Sequence, residues 1–64
     1  MQKPEKILLN EHEAAHMLGL STKTLQARRY RHLPPKYYKM GRSIRYKVAD
    51  LMDWINQGEV EMEG

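Results

Sequence analysis

The chain has 64 residues, of which 11 are Lys or Arg and eight are Asp or Glu, and its formal net charge is +3. This length allows one small domain, which we expect to span residues 1–64. The absence of cysteine excludes a disulfide framework and a thiolate metal site. No apolar run approaches the ~20 residues of a membrane span, and the start MQKPEK does not lead into the apolar stretch of a secretory signal. We therefore expect a cytoplasmic protein.

The positive charge is concentrated in the middle of the chain. The 27 residues 21–47 contain no Asp or Glu and nine basic residues, namely Lys23, Arg28, Arg29, Arg31, Lys36, Lys39, Arg42, Arg45 and Lys47. A basic middle between acidic ends is typical of a polyanion-binding protein. A solvated charged face is the alternative, but nine like charges would repel one another without a partner.

The first elements are a short extended piece and a helix. Residues 1–6 are polar and we expect a flexible arm there, with order from about residue 7 to residue 57 and a flexible acidic tail at 58–64. Ile7, Leu8 and Leu9 would form the extended piece. Asn10 predicts the N-cap of a helix over 11–18, with Glu13 completing a capping box, and Gly19 would end that helix in the left-handed conformation.

A second helix is predicted from Thr22 to about Arg31, with Ser21 as its N-cap. Ala15, Gly19 and Leu25 have the spacing of a helix-turn-helix unit, in which a small residue lets two helices cross closely. Lys23, Gln26, Ala27 and Tyr30 would face away from Leu25 and suit contacts to base edges. Arg28, Arg29 and Arg31 would contact phosphates at the flanks. The alternative is a basic surface helix that does not recognise bases.

Residues 12–16 spell H-E-x-x-H, the motif of zinc peptidases. Two histidines one turn apart would bind zinc, and the glutamate would activate water. No carboxylate occurs between Ala14 and Ala49 to serve as a nearby third ligand, and 64 residues cannot enclose a peptide cleft. We therefore expect no metal, no cofactor and no catalysis, and at most adventitious metal binding by His12 and His16.

The last part of the chain predicts a hairpin and a third helix. Residues 37–40 and 43–47 are β-prone runs that flank Gly41 and Arg42. A basic hairpin beside a helix-turn-helix is a wing, although an ordinary stabilising hairpin has the same pattern. A helix is expected from Val48 to Gln57, with Gly58 as its terminator. Trp54, the single tryptophan, would anchor the core.

Residues 9–55, LNEHEAAHMLGLSTKTLQARRYRHLPPKYYKMGRSIRYKVADLMDWI, resemble the small MerR-like helix-turn-helix domains of the excisionase and AlpA type. The shared blocks are E-A-A-x-x-L-G-L-S-x-x-T-L, L-P-P, K-x-G-R-x-I-R-Y and D-L-x-x-W-I. The resemblance implies a mainly α, winged helix-turn-helix fold of three helices and a two-stranded wing. It implies DNA contacts by Ser21, Thr22, Lys23, Gln26, Ala27 and Arg28 of the second helix and by Lys39, Arg42, Ser43 and Arg45 of the wing.

The sequence departs from this family at two positions. The family usually has an aromatic residue where Arg28 stands and glycine where His32 stands. Tyr30 would replace the lost aromatic side chain and shift the recognition helix.

The predicted function is sequence-specific binding of double-stranded DNA, either in transcriptional regulation or as an accessory factor in excisive recombination. An integrase or further copies of this chain on adjacent sites are candidate partners, because the tail after Ile55 has no heptad pattern for dimerisation. A protein-interaction module built on the third helix and the acidic tail is the alternative.

Overall fold

The computed structural model describes residues 7–58, and within them the predicted three helices and hairpin are confirmed. The elements, in chain order, are β1 (Leu8–Leu9), α1 (Glu11–Leu18), α2 (Thr22–Tyr30), β2 (Tyr38–Met40), β3 (Ser43–Lys47) and α3 (Val48–Gln57). Of the expected flexible ends, 1–6 and 58–64, all residues except Gly58 lie outside the described residues. The single domain across the whole chain therefore stays a prediction.

The start of α1 has the predicted capping box. The Asn10 side chain accepts a hydrogen bond from the Glu13 backbone N–H at 2.7 Å, and the Glu13 carboxylate accepts one from the Asn10 N–H at 3.0 Å. Gly19 follows α1 at φ 69° and turns the chain toward α2. At this turn the Leu20 N–H donates to the Ala15 carbonyl at 2.9 Å. The Glu13 N–H at the start of α1 and the Ala15 carbonyl near its end are thus satisfied by local partners.

The end of α2 repeats this geometry without a glycine. The Leu33 N–H donates to the Arg28 carbonyl at 2.8 Å and the His32 N–H to the Arg29 carbonyl at 3.1 Å. His32, between them, has a φ of 57°, the left-handed region that non-glycine residues enter at a cost. The glycine that the resemblance implies at this position fits this backbone, and His32 adopts the same conformation.

The hairpin belongs to a three-stranded antiparallel sheet with the order β1-β3-β2. Met40 pairs with Ser43 across the two-residue turn of Gly41 and Arg42, and Gly41 has the positive φ of 62° that such turns favour. On the other side of β3, Leu9 pairs with Tyr46. The sequence predicts the extended piece before α1, but it does not predict that this piece pairs with β3.

The core lies where α1, α2, α3 and β3 meet. Its buried apolar residues are Ala14, Ala15, Leu25, Tyr46 and Leu51. The predicted close crossing of the first two helices is consistent with two buried alanines opposite a buried leucine. Tyr46, and not Trp54, is the largest fully buried side chain. Trp54 is half-buried at the rim, so its prediction as the core anchor was wrong.

Candidate nucleic-acid interface

One face of α2 is open to solvent. Lys23, Ala27 and Tyr30 are exposed, whereas Leu25 is fully buried and Gln26 is half-buried at the edge of the open face. The spacing of four and three residues between the exposed positions places them on one side of a helix. The predicted exposed face is therefore present in the structure, and the groups suited to base edges lie on it or at its edge.

The N-terminal end of α2 is polar and free of acidic residues in its first turn. The Ser21 hydroxyl caps the helix by accepting from the Thr24 N–H at 3.1 Å. Thr22 Oγ1 shares a hydrogen bond of 3.2 Å with His12 Nδ1 on α1. The partial positive charge of a helix N-terminus favours an anion such as a phosphate there. Ser21 and Thr22 thus lie at a suitable end of the helix, and both already have internal partners.

The sequence predicts that Arg29 contacts phosphates at the flank of α2. In the structure its side chain is instead bound to Glu11. Its Nε donates to Glu11 Oε2 at 2.7 Å and a terminal nitrogen donates to Glu11 Oε1 at 3.1 Å. The two side chains are only 16% and 13% exposed, respectively. The bond to Glu11 also raises the pKa of the Arg29 guanidinium. This arginine is engaged by a partner within the protein, because a largely buried cation needs a paired anion.

Arg28 also turns away from the open face of α2. Its Nε donates to the Pro34 carbonyl, and its guanidinium lies 5.1 Å from the centre of the Trp54 ring. The resemblance implies an aromatic residue at this position, where Arg28 instead makes a cation–π contact with Trp54. Tyr30 does not replace that residue as expected, because its side chain is 69% exposed.

The remaining basic residues surround the open face. Arg31 lies at the end of α2, and Lys39, Arg42 and Ser43 are exposed in the hairpin. Arg45 is half-buried and donates to its neighbour's carbonyl, that of Ile44, at 2.8 Å. Within residues 7–58 no acidic side chain pairs with Lys23, Arg31, Lys39 or Arg42. The acids of residues 7–58 therefore do not neutralise these four charges.

The H-E-x-x-H segment has another role in the structure. His12 and His16 lie exposed on α1, His12 bonds to Thr22, and the Glu13 carboxylate accepts the backbone N–H of Asn10. Among residues 7–58 no group of three or more His, Asp or Glu side chains is placed to hold a metal ion. In this motif the glutamate is thus a helix-capping residue.

A cluster around Glu11 was missed at the level of the sequence. Tyr46 donates its hydroxyl to Glu11 Oε2 at 2.9 Å, the oxygen that also accepts from Arg29. The need of a buried tyrosine for a hydroxyl partner is a readable signal. The partner lies 35 residues away in the chain, so no local pattern identifies it.

Comparison with known families agrees with this architecture. A family described as a helix-turn-helix domain matches residues 8–59, a stretch that includes all six elements. No curated protein matches the sequence. Between residues 7 and 58 no helix is both long enough and apolar enough to cross a bilayer. Because this match covers most of the chain, the chain belongs to the helix-turn-helix domain family of the excisionase and AlpA-like type.

Proposed function

We propose that this protein binds a specific sequence of double-stranded DNA and performs no catalysis. The observation that carries the proposal is the open face of α2, which presents Lys23, Ala27 and Tyr30 with Gln26 at its edge. A helix of this kind fits the major groove, where each base pair presents a distinct pattern of donors and acceptors. Family membership supports DNA binding in general, and the proposal adds the specific groups.

Two kinds of contact follow from the chemistry of these side chains. Gln26 suits adenine, Lys23 suits guanine, and Ala27 or Tyr30 can contact a thymine methyl group. Arg31 and the hairpin residues Lys39, Arg42, Ser43 and Arg45 suit the phosphate backbone beside the groove. Arg28 and Arg29 are not assigned to DNA contacts, since their guanidinium groups are engaged by Pro34 and Glu11, respectively.

Two biological uses fit this proposal equally: transcriptional regulation, or assistance to an integrase in excision. A small domain covers only roughly 600–1,000 Å² on DNA. Useful occupancy would therefore gain from an integrase or from further copies on adjacent sites. The proposal places the protein in the cytoplasm, with the nucleoid.

A protein-interaction module is the competing proposal. It would use α3, where Met52 and Ile55 are 45% and 43% exposed. Single exposed apolar side chains are common on protein surfaces and do not by themselves mark an interface. The acidic tail that this alternative also needs lies outside the described residues. DNA binding is therefore favoured.

Selection from a pool of random duplexes tests the proposal. We expect successive rounds to enrich one short motif, and the purified protein to prefer that motif over a shuffled duplex of the same composition. A Lys23→Ala, Gln26→Ala double variant should bind the enriched motif no better than the shuffled duplex. Failure of any motif to emerge would contradict sequence-specific binding, and absence of any DNA binding would favour the competing proposal.

A further inference from the structure

Glu11, the first residue of α1, uses both carboxylate oxygens to hold two other elements. Oε1 and Oε2 accept the two hydrogen bonds from Arg29 on α2, and Oε2 also accepts the Tyr46 hydroxyl on β3. A bidentate arginine–carboxylate pair is geometrically specific as well as strong. One largely buried side chain thus makes direct bonds to the recognition helix and to the hairpin.

The packing explains why such a link matters. α1 packs against α2 and also against β3, whereas α2 itself has few direct contacts with the hairpin. The relation between the helix and the hairpin is therefore set mainly through α1. Tyr37 adds to the same cluster, since its ring lies 5.9 Å from the Arg29 guanidinium and 6.2 Å from the Tyr46 ring.

Glu11 is unsuited to touching DNA itself. A carboxylate is repelled by phosphate, and this one is paired and only 13% exposed. Its hydrogen bonds instead fix the orientation of two side chains whose own elements carry the proposed contacts. Arg29 is adjacent in sequence to the exposed Tyr30, and Tyr46 follows Arg45 in the central strand.

We propose that Glu11 is a positioning residue for DNA recognition, which holds α2 and the hairpin in the one relative orientation that lets both contact the same site. This inference rests on the proposed function. Without the carboxylate, each part would still attract phosphate, but the two parts would have to be ordered at the moment of binding. Such ordering lowers the affinity for a site that needs both. The affinity for random DNA would change little, because such binding does not need a fixed orientation of α2 relative to the hairpin.

The test compares Glu11→Gln with Asp53→Asn. Each change removes one negative charge, and Asp53 has no hydrogen bond or ion pair within residues 7–58. The ratio of affinities for the selected motif and for random duplex is measured at one salt concentration and at a temperature where circular dichroism shows both variants folded. We expect Glu11→Gln to lower this ratio about tenfold or more, the range of a hydrogen bond to a charged group. Asp53→Asn should leave it unchanged.

A second pair of variants covers the case in which Glu11→Gln fails to fold. Tyr46→Phe removes only the hydroxyl bond to Glu11, and Tyr38→Phe removes a bond of nearly the same length, 3.0 Å, from Tyr38 to Asp50. The first should lower the ratio in the same direction, and the second should not. An unchanged ratio in folded Tyr46→Phe would overturn the inference.

A distance measurement separates positioning from a loss of stability. The protein has no cysteine, so spin labels can be attached at Ala27→Cys on α2 and Met40→Cys in the hairpin, both exposed positions. We expect the distribution of distances between the labels to broaden in Glu11→Gln and to stay narrow in Asp53→Asn. Equal distributions would overturn the inference even if DNA binding is confirmed. Absence of any DNA binding by the unchanged protein would instead refute the proposed function.

Discussion

At the scale of single residues, the two helix ends of the helix-turn-helix use the same left-handed backbone with different side chains. Gly19 has a φ of 69° and His32 a φ of 57°. A β-carbon placed on Gly19 would meet no atom within 4 Å. The preference for glycine there is therefore conformational and not a matter of space.

We predict that Gly19→Ala lowers the free energy of unfolding by about 1 kcal/mol, because it imposes the left-handed penalty without a steric clash. His32→Gly should remove the same penalty and raise the free energy of unfolding by up to about 1 kcal/mol. Thermal unfolding measures both, since ~1 kcal/mol shifts the midpoint of a small domain by about 4–8 °C. A lower midpoint for His32→Gly would show that its side chain makes a contact worth more than the strain.

Base-reading and phosphate-contacting residues should respond differently to truncation. We predict that Gln26→Ala costs about 1–3 kcal/mol on the best site and relaxes the preference at one position. Arg42→Ala should weaken binding to all sequences alike, because a phosphate contact carries no base identity. Repeating the selection experiment with each variant distinguishes them, with the exposed Gln57→Ala as a control. An unchanged motif after Gln26→Ala would place the recognition face elsewhere.

At the scale of elements, the cluster around Glu11 joins α1, α2 and β3. Burial raises the pKa of the Glu11 carboxyl, but the hydrogen bonds from Arg29, Tyr46 and Gln26 and the charge of Arg29 lower it by more, so that it lies below its ordinary value. Burial and the bond to Glu11 raise the pKa of the Tyr46 hydroxyl, which stays protonated as a donor. The cluster therefore depends on an ionised Glu11.

This pKa shift has a consequence for stability in acid. A carboxyl whose pKa is lower in the folded than in the unfolded protein stabilises the fold above the unfolded value, here 4.5, and loses that contribution as the pH falls through the folded value. We predict that denaturant unfolding between about pH 6 and pH 3, roughly the range of carboxyl titration, shows a steeper loss of the free energy of unfolding for the unchanged protein than for Glu11→Gln. Parallel curves would contradict a lowered pKa of Glu11.

The elements themselves were largely predictable because their signals are local. Asn10 and Glu13, Ser21, and the Gly41–Arg42 turn lie beside the backbone groups that they affect. The Glu11 cluster was not predictable, since Arg29 and Tyr46 lie 18 and 35 residues from Glu11. The same separation explains why the ion pair of Arg29 was not expected. Charge alone did not show that this arginine has a carboxylate partner in the core region.

At the scale of the whole molecule, the acidic and the basic side chains of residues 7–58 differ in their partners. Of the acids there, Glu11 pairs with Arg29, the Glu13 carboxylate caps α1, and Asp50 accepts the Tyr38 hydroxyl at 3.0 Å. The exposed cations Lys23, Arg31, Lys39 and Arg42 have no such acidic partners within residues 7–58. Within residues 7–58 the internal hydrogen bonds and the ion pair use most of the acids, and these four cations are not neutralised by them.

The dependence of DNA affinity on salt tests this central claim most directly. Each phosphate neutralised on duplex DNA adds about −0.9 to the slope of log K against log salt concentration. For about five phosphate contacts we predict a slope of about −4 to −5, and Arg42→Ala should make it shallower by about one contact's share. Fluorescence anisotropy over a series of salt concentrations measures the slope. A flat dependence in the unchanged protein would contradict the proposal that its basic surface binds the DNA backbone.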